Sequence, residues 1–450
     1  MIGKMTEVSL HWNNKDLVLR ARGSHSYEWV NPASHSLGKS TELVCLSHKS
    51  LGRRSNAVII GDGIDAIEGI EKTSDFLDDK IRLVYIDPPF NTNADVQSYN
   101  DSMNRSMWLS FLRDRLAVLQ PHLSEDASIW LHLDDREVHR ARMILDEVFG
   151  EKAFVTSIAW QKKTTRDSRA AFSGNHDTIL VYAPCGSQKW KLSRNLLPKD
   201  PRELANRDND PRGPWADAPF TAPGYRAAQQ YEIQTPSGAI LRPPRGRSWY
   251  ATEPTYRKLL KQNRIWFPRK GAGSPRLKLF SDQLKGLVPF TIWESSETGS
   301  NDDAKRHLMS LFPDSSVFDT PKPEQLLKRI LHLASEPGEL VVDLFGGSGT
   351  TAAVAQKMKR RWLLVERNLQ TVTNFILPRL TAVKDGSDTS GITEEVSWNG
   401  GGSFEIAYAP PKFGSRLTRS DLSDVEKWIG KADYEASSNT FTPPPSEAQR

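Results

Sequence analysis

Two short stretches of this chain carry residue types that could act on a small planar group. The first is Asp87-Pro88-Pro89-Phe90, directly after the apolar run IRLVYI at 81–86. Two consecutive prolines fix the backbone and remove two N–H donors, so the segment offers a carboxylate, bare carbonyls and an aromatic ring. That set suits a planar base with an exocyclic amine: carboxylate and carbonyl accept the amine hydrogens while the ring stacks on the base. The second is Asp343-Leu-Phe-Gly-Gly-Ser-Gly-Thr-Thr351, between an apolar run and a helical pattern. Glycines let the backbone approach a ligand closely, and the helix N-terminus favours a negative group. Gly347, Gly349 and Ala352 also satisfy a G-x-G-x-x-A pattern, with Glu366 at the end of the next apolar run for ribose hydroxyls, so a nicotinamide ligand fits these residues too. A phosphate-binding Walker loop does not, because no Lys follows the glycines. Gly38-Lys39-Ser40 is a poor substitute: Ala33 stands where that loop's first glycine belongs, and no apolar strand precedes it.

The elements that must position these stretches alternate in type. AVIIG (57–61), ending in Gly61-Asp62-Gly63, and IRLVYI (81–86) read as short apolar strands, with a helix starting near Ile64 between them. Met107 to Leu119 places Trp108, Phe111, Leu112, Leu116 and Leu119 at helical spacing; SIWLHL (128–133) follows as a strand and Arg136 to Phe149 as an amphipathic helix. After a long irregular stretch with one clear strand, TILVYA (178–183), the alternation resumes. It gives a helix over Glu324 to Ala334, a strand over 339–345, a helix from Thr350 to Met358 and a strand over 361–366. Strands alternating with helices predict an α/β fold with a mainly parallel sheet covered on both faces. One sheet is thus expected from two separated pieces, with a second domain inserted between them.

Composition narrows the function classes. The chain has 450 residues, 38% of them hydrophobic and 26% charged, as in a soluble globular protein of two or three domains. No apolar stretch approaches the roughly 18 residues of a membrane span, and the N-terminus lacks the apolar core of a signal peptide, so the expectation is a cytoplasmic protein without a membrane role. Cys45 and Cys185 cannot build a disulfide framework or a four-thiolate zinc site, and no metal is expected. The net charge of +5 is unevenly spread: residues 161–300 hold 24 Lys and Arg against 12 Asp and Glu, and the rest of the chain is acidic. A basic segment in an acidic body suits a module that contacts phosphates, and equally a solvated, loop-rich insertion. Trp190, Trp215, Trp249 and Trp266 in that segment serve either as a small core or as platforms for base stacking.

Taken together, Asp87-Pro88-Pro89-Phe90-Asn91-Thr92, the loop Asp343 to Thr351 and Thr320-Pro-Lys-Pro323 resemble the S-adenosylmethionine-dependent amino-methyltransferases of DNA. The tetrapeptide comes first, an insertion follows, and the cofactor loop comes last, which resembles the β class with its circularly permuted Rossmann-like sheet. Within that class the chain is most similar to the modification subunits of type III restriction systems and related adenine-specific methylases, from about Ala57 to Pro378. The resemblance implies that Asp87 and the Pro88 carbonyl hold the target amine, with Pro89 stiffening the turn, and that Phe90 stacks the flipped base. It implies that Phe345, Gly346, Gly347, Ser348, Gly349 and Thr350 wrap the methionine part of S-adenosyl-L-methionine, with Asp343 positioning it. Glu366 would hold the ribose hydroxyls, Asp62 would lie near the adenine, and Lys322 near the amino-acid end. After Thr92 the chain departs from the family, with Asn93-Ala94-Asp95 where many members continue with Gly.

The implied reaction is methyl transfer to the N6 amine of adenine in double-stranded DNA. Cytosine-N4 transfer uses the same geometry, but members of that branch usually carry Ser in place of Asp87. Cytosine-C5 chemistry would use Pro184-Cys185 as nucleophile, yet in that family the glycine loop precedes the cysteine, whereas here it follows. The reading from another class is a DNA-binding specificity subunit whose catalytic pocket has lapsed, which intact Asp87 to Phe90 and an intact glycine loop argue against; a partner-dependent DNA-binding modification subunit is a further alternative. The expected organisation is an N-terminal arm (1–55), a first catalytic part (56–160), a target-recognition insertion (161–319), a second catalytic part with the cofactor loop (320–384) and a C-terminal segment with a flexible tail (385–450). WNGGGSFEIAYAPP in that last segment suggests a closing hairpin. The resemblance further implies a homodimer, and leaves open whether the chain works alone or beside a restriction subunit.

Overall fold

The structure, a computed structural model, describes residues 8–23, 26–34, 42–47, 51–91, 103–199, 204–280, 286–313, 318–426 and 428–429. Thr92, the 93–95 segment, Gly38-Lys39-Ser40 and the expected flexible tail lie outside them. The chain opens with an antiparallel hairpin, β1 (Val18–Arg22) and β2 (Ser26–Val30). The strands β3 (Val44–Cys45), β4 (Ala57–Ile60), β5 (Ile81–Ile86), β6 (Leu123–Leu133), β7 (Phe154–Gln161) and β8 (His176–Tyr182) follow. Between them run the helices α1 (Gly63–Thr73), α2 (Arg105–Leu119) and α3 (Val138–Phe149). Seven short strands come next: β9 (Trp215–Pro219), β10 (Thr221–Pro223), β11 (Ile233–Gln234), β12 (Ile240–Leu241), β13 (Arg247–Trp249), β14 (Ile265–Trp266) and β15 (Arg276–Phe280). The chain then adds β16 (Ile292–Trp293), β17 (Leu340–Asp343), β18 (Arg361–Glu366) and β19 (Glu405–Tyr408), with helices over Glu324–Ala334 and Thr350–Lys357 between them.

The main sheet has the order β16-β7-β8-β6-β5-β17-β18-β4-β19-β3. Its centre is parallel; β8 and the two-residue β3 run antiparallel to their neighbours. Every residue of β4, β5 and β17 is buried, as a strand covered by helices on both faces requires, which explains why they read as unbroken apolar runs. From β17 the chain moves outward to β18, and from β5 it moves the opposite way to β6. The seam between β5 and β17 is therefore the point where strand order reverses, the place at which such sheets open a crevice beyond their carboxyl ends. With Val342 opposite Val84, Asp343 and Asp87 leave the sheet at the same edge.

Contacts divide the chain into two compact units: residues 1–195 with 290–450, and Leu196–Pro289. The second is narrower than the insertion expected over 161–319, because β8, inside that stretch, is hydrogen-bonded between β6 and β7 of the main sheet. The second unit has its own small core of Phe220, Ile233, Trp249, Tyr256, Ile265 and Leu277. Trp215 and Trp249 are buried there, and Trp190 is buried in the first unit, so these rings are core and not free stacking platforms. The expected C-terminal hairpin does not form. β19 lies parallel to β4, because its alternation-free EIAY is fully buried and completes the large sheet. The N-terminal arm also has a definite role: Leu19 N donates to Asp114 Oδ2 at 2.7 Å and Trp12 Nε1 to Ser110 Oγ at 2.7 Å, which fastens it to α2.

Candidate active site

The carboxyl edge of β5 and β17 borders a cavity of about 790 Å³. Of the fourteen residues singled out from the sequence, all but Gly349 line it. On the β5 side the tetrapeptide is held by Trp108, whose Nε1 donates to the Pro89 carbonyl at 2.7 Å. Asn91 then takes a left-handed φ of 58° and accepts from Met103 N at 2.9 Å. Asp87 Oδ2 accepts from Lys322 Nζ at 2.5 Å, while Asp87 Oδ1 is buried with no hydrogen-bond partner. An orphaned, buried carboxylate oxygen costs free energy unless a ligand's donor meets it.

Behind Phe90 stands a group that sequence reading missed. The His132 ring stacks on Phe90 at 6.1 Å between centroids, and its Nδ1 shares a hydrogen bond with Tyr85 Oη at 3.0 Å. On its other side Nε2 lies 3.3 Å from Asp177 Oδ2, and Asp177 Oδ1 accepts from Lys162 Nζ at 2.6 Å. Burial and the nearby Lys322 charge push His132 down, so its ring is neutral near pH 7. Burial alone would raise Asp177, but the hydrogen bond from His132 and the ammonium of Lys162 outweigh it and hold the group at about 2. His132 sits in SIWLHL, a stretch of β6 whose every residue is buried, so a polar ring in an apolar run is its one local signal; its partners come from β5 and β8 and have no local signature.

On the β17 side, Asp343 organises the glycine loop. Its Oδ1 accepts from Phe345 N at 2.9 Å and its Oδ2 from Thr351 Oγ1 at 2.6 Å. Burial raises this acid to about 8 against those two hydrogen bonds, and the carboxylates of Asp87 and Glu366 add to the rise. Gly349 caps the helix Thr350–Lys357 with φ 76°, a left-handed conformation that glycine adopts without steric cost. A Cβ on Gly346 would come within 3.0 Å of Leu364, so the loop lies flat on β18. Glu366, at the end of β18, accepts from Gly347 N at 2.9 Å and Asn368 N at 2.8 Å, and burial raises it. Asp62 caps α1 through Ile64 N at 3.0 Å and pairs with the buried Arg115, whose charge holds it ionised against its burial. The hairpin adds Ser26 and Tyr27 to this wall, a contribution with no motif to announce it.

The charges decide what the cavity can hold. Asp87, Asp343 and Glu366 bring three acidic side chains to one space, while its described cations are already engaged: Lys322 by Asp87, Arg115 by Asp62, Lys162 by Asp177 and Arg367 by two backbone carbonyls. A pyrophosphate would meet the carboxylates of Asp87 and Glu366, with Lys322, Arg115 and Lys162 already paired to acids, which disfavours the dinucleotide reading of the glycine pattern. A cationic sulfonium that also carries an ammonium and ribose hydroxyls fits: acids at Asp343 and Asp87, a hydroxyl acceptor at Glu366, and apolar cover from Phe345. Outside the cavity, His307, Glu324 and Asp388 bring their ligand atoms within 4.8 Å of one another, but Lys357 Nζ already lies 2.8 Å from Glu324 and 2.7 Å from Asp388. That cluster is an internal ion-pair network.

Comparison with known proteins agrees with this geometry. Residues 81–376 match the N6/N4 DNA methylase family. The chain is 30% identical over 350 residues to the type III restriction-modification enzyme StyLTI Mod subunit of Salmonella typhimurium, covering 68% of this chain and 51% of that protein. It is 27% identical over 299 residues to the type II methyltransferase M.EcaI of Enterobacter cloacae, covering 64% of this chain and 62% of that one. With the type II methyltransferase M.KpnI of Klebsiella pneumoniae it shares 27% identity over 391 residues, 77% of this chain and 89% of the relative. The chain thus spans about half the length of the first of these relatives and most of the last. The family depends on S-adenosylmethionine, the ligand that the carboxylates of the cavity suit. By the extent of the family match and the placement of its motifs around one cavity, this chain belongs to the N6/N4 family of DNA methylases.

Proposed function

We propose that the chain methylates the N6 amine of adenine in double-stranded DNA as the modification component of a restriction-modification system. The observation that carries this reading is Asp87, which lines the same cavity as the glycine loop: one oxygen is held by Lys322, and the other is buried and unpartnered. S-adenosylmethionine would supply an electrophilic methyl group on a sulfonium, held by Asp343, Glu366 and the loop Phe345 to Thr350. The chain's own task is to make a poor nucleophile attack. An amine conjugated with a purine ring is planar; hydrogen bonds from it to Asp87 Oδ1 and the Pro88 carbonyl favour a pyramidal nitrogen with its lone pair free. Phe90, backed by His132, clamps the ring, and the gain comes mainly from positioning. As the new N–C bond forms, the methyl–sulfur bond would break with its electron pair going to sulfur, leaving a neutral thioether, and the nitrogen would shed one proton to Asp87.

The target must leave the helix, at a cost of a few kcal/mol that contacts to the duplex offset. The unit Leu196–Pro289 suits those contacts, with 17 Lys and Arg against 8 Asp and Glu. Its exposed Tyr225 and Tyr250 offer rings at the surface, and Arg245 and Lys258 offer free-standing charge for phosphates. Asp at position 87 favours adenine over cytosine-N4, whose methylases resemble this chain but usually carry Ser there. The Mod-subunit relatives favour a restriction subunit as partner, while the 89% coverage of M.KpnI favours a chain that modifies DNA alone. Modification-aware long-read sequencing of DNA from cells expressing the wild type or Asp87→Ala tests the reading. N6-methyladenine at one motif, with the wild type alone, is the expected result. N4-methylcytosine would keep the fold and replace the base, and no modified base would sink the proposal. Co-purification of a nuclease subunit decides between the two assemblies.

A further inference from the structure

The family resemblance places Lys322 beside the amino-acid end of the cofactor, yet its side chain reaches the target side of the cavity. Nζ lies 2.5 Å from Asp87 Oδ2 and 5.4 Å from the centre of the Phe90 ring, and the side chain is 8% exposed. Its backbone faces the other way. The Lys322 carbonyl accepts from Thr350 Oγ1 at 3.3 Å, at the head of the helix that follows the glycine loop, and Arg379 donates to the same Oγ1 at 2.8 Å. Pro321 and Pro323 flank the residue and restrict its backbone. One residue is therefore tied by its main chain to the cofactor loop and by its ammonium to two members of the catalytic tetrapeptide.

We propose that Lys322 is a positioning residue for the target base. It holds Asp87 by Oδ2 so that Oδ1 is presented to the amine, and it couples that orientation to the glycine loop. A carboxylate turns easily about its terminal torsion, so an unheld Asp87 would offer the amine a range of directions. A buried, charge-assisted hydrogen bond removes that freedom. The ammonium also lies against the Phe90 ring, which adds attraction at the position where the base must stack. This inference rests on the methyl-transfer reading above.

The test uses the full chain with Lys322→Met, Lys322→Gln and Lys322→Arg, and a duplex containing either adenine or 2-aminopurine at the target position. Three quantities are measured: the Kd of S-adenosylhomocysteine by calorimetry, 2-aminopurine fluorescence on binding, and kcat. In the Met and Gln variants kcat should fall on the order of 10²-fold, the typical effect of misplacing a reacting group. Their S-adenosylhomocysteine Kd should stay within about threefold of the wild type, and Arg should recover part of kcat. The fluorescence rise should persist, because 2-aminopurine lacks the six-amine that Asp87 would hold. A loss of S-adenosylhomocysteine affinity that matches the loss of kcat would assign Lys322 to the cofactor and overturn the inference. Unchanged kcat in the Met variant, or loss of the fluorescence rise, would overturn it as well. A wild type that transfers no methyl group would strike the functional reading itself, a result distinct from these.

Discussion

In the sheet-bearing unit, Asp87 Oδ1 lies buried without a partner and Asp343 is raised to about 8 by burial. In the unit Leu196–Pro289 the fully buried Lys278 is shared by two carboxylates, at 3.0 Å from Asp210 and in contact with Asp208. Asp210 is itself held by Arg212 at 2.7 Å, and these partners keep it well below the ordinary carboxylate range. One unit leaves a buried carboxylate oxygen without a hydrogen bond and a buried acid without a cation at a cavity; the other pairs its buried charge internally. The first pattern is what a ligand-completed site requires, since the missing partners arrive with the ligand. The second is what a small fold needs to hold itself together before it touches anything.

The contrast is open to direct attack. Asp87→Ala should lower methyl transfer by at least 10²-fold, roughly the effect of deleting one preorganised polar contact to a reacting group, while S-adenosylhomocysteine binding stays intact. Radiolabelled methyl transfer with parallel calorimetry checks both halves; wild-type activity in the variant would remove Asp87 from the chemistry. In the second unit, Lys278→Met should destabilise by roughly 1–3 kcal/mol, because it removes the buried cation shared by Asp208 and Asp210, although Asp210 keeps Arg212. Urea unfolding followed by Trp fluorescence should show an earlier transition, with cofactor affinity unchanged. A variant as stable as the wild type would mean that the Asp208–Lys278–Asp210 cluster is not structural.

A smaller effect is expected at the surface of the same unit. Arg245→Ala with Lys258→Ala should weaken duplex binding similarly for all sequences, and the slope of log K against log salt should fall by about 1 for each cation withdrawn from a phosphate. Loss of sequence preference instead would make these side chains base readers. The smallest signal concerns Asp343. Its raised value means that folding takes up a proton here, so the stability from the protonated acid is full below the ordinary carboxylate range and is lost as pH rises through about 8. A cationic cofactor favours the ionised form, so binding near pH 7 should release part of one proton. Calorimetry in buffers of different ionisation enthalpy measures that release, and Asp343→Asn should remove most of it.

The legibility of this chain followed the same division. Buried parallel strands read as continuous apolar runs, which is why β4, β5, β17 and β18 stood out, and each catalytic stretch sits directly after one of them. The strand β19 and the hairpin β1–β2 were harder, because neither lies in a strand–helix alternation: β19 follows glycines and pairs with β4, distant by more than three hundred residues in the chain. The limits of the inserted unit were also illegible, since β8 belongs to the main sheet by hydrogen bonds to β6 and β7 and not by any feature of its own sequence.

By itself the sequence determined the kind of sheet, the order of its pieces and the residues at its carboxyl edge, because backbone-restricting prolines, loop glycines and unbroken apolar runs act through local physics. Only the tertiary structure decided which of those residues meet. Lys322 reaches Asp87 across 235 positions, and His132 backs Phe90 with partners drawn from β5 and β8. Such pairings depend on strand register and on which side of a seam each loop falls, quantities that exist once the sheet is assembled and that no local run of residues encodes.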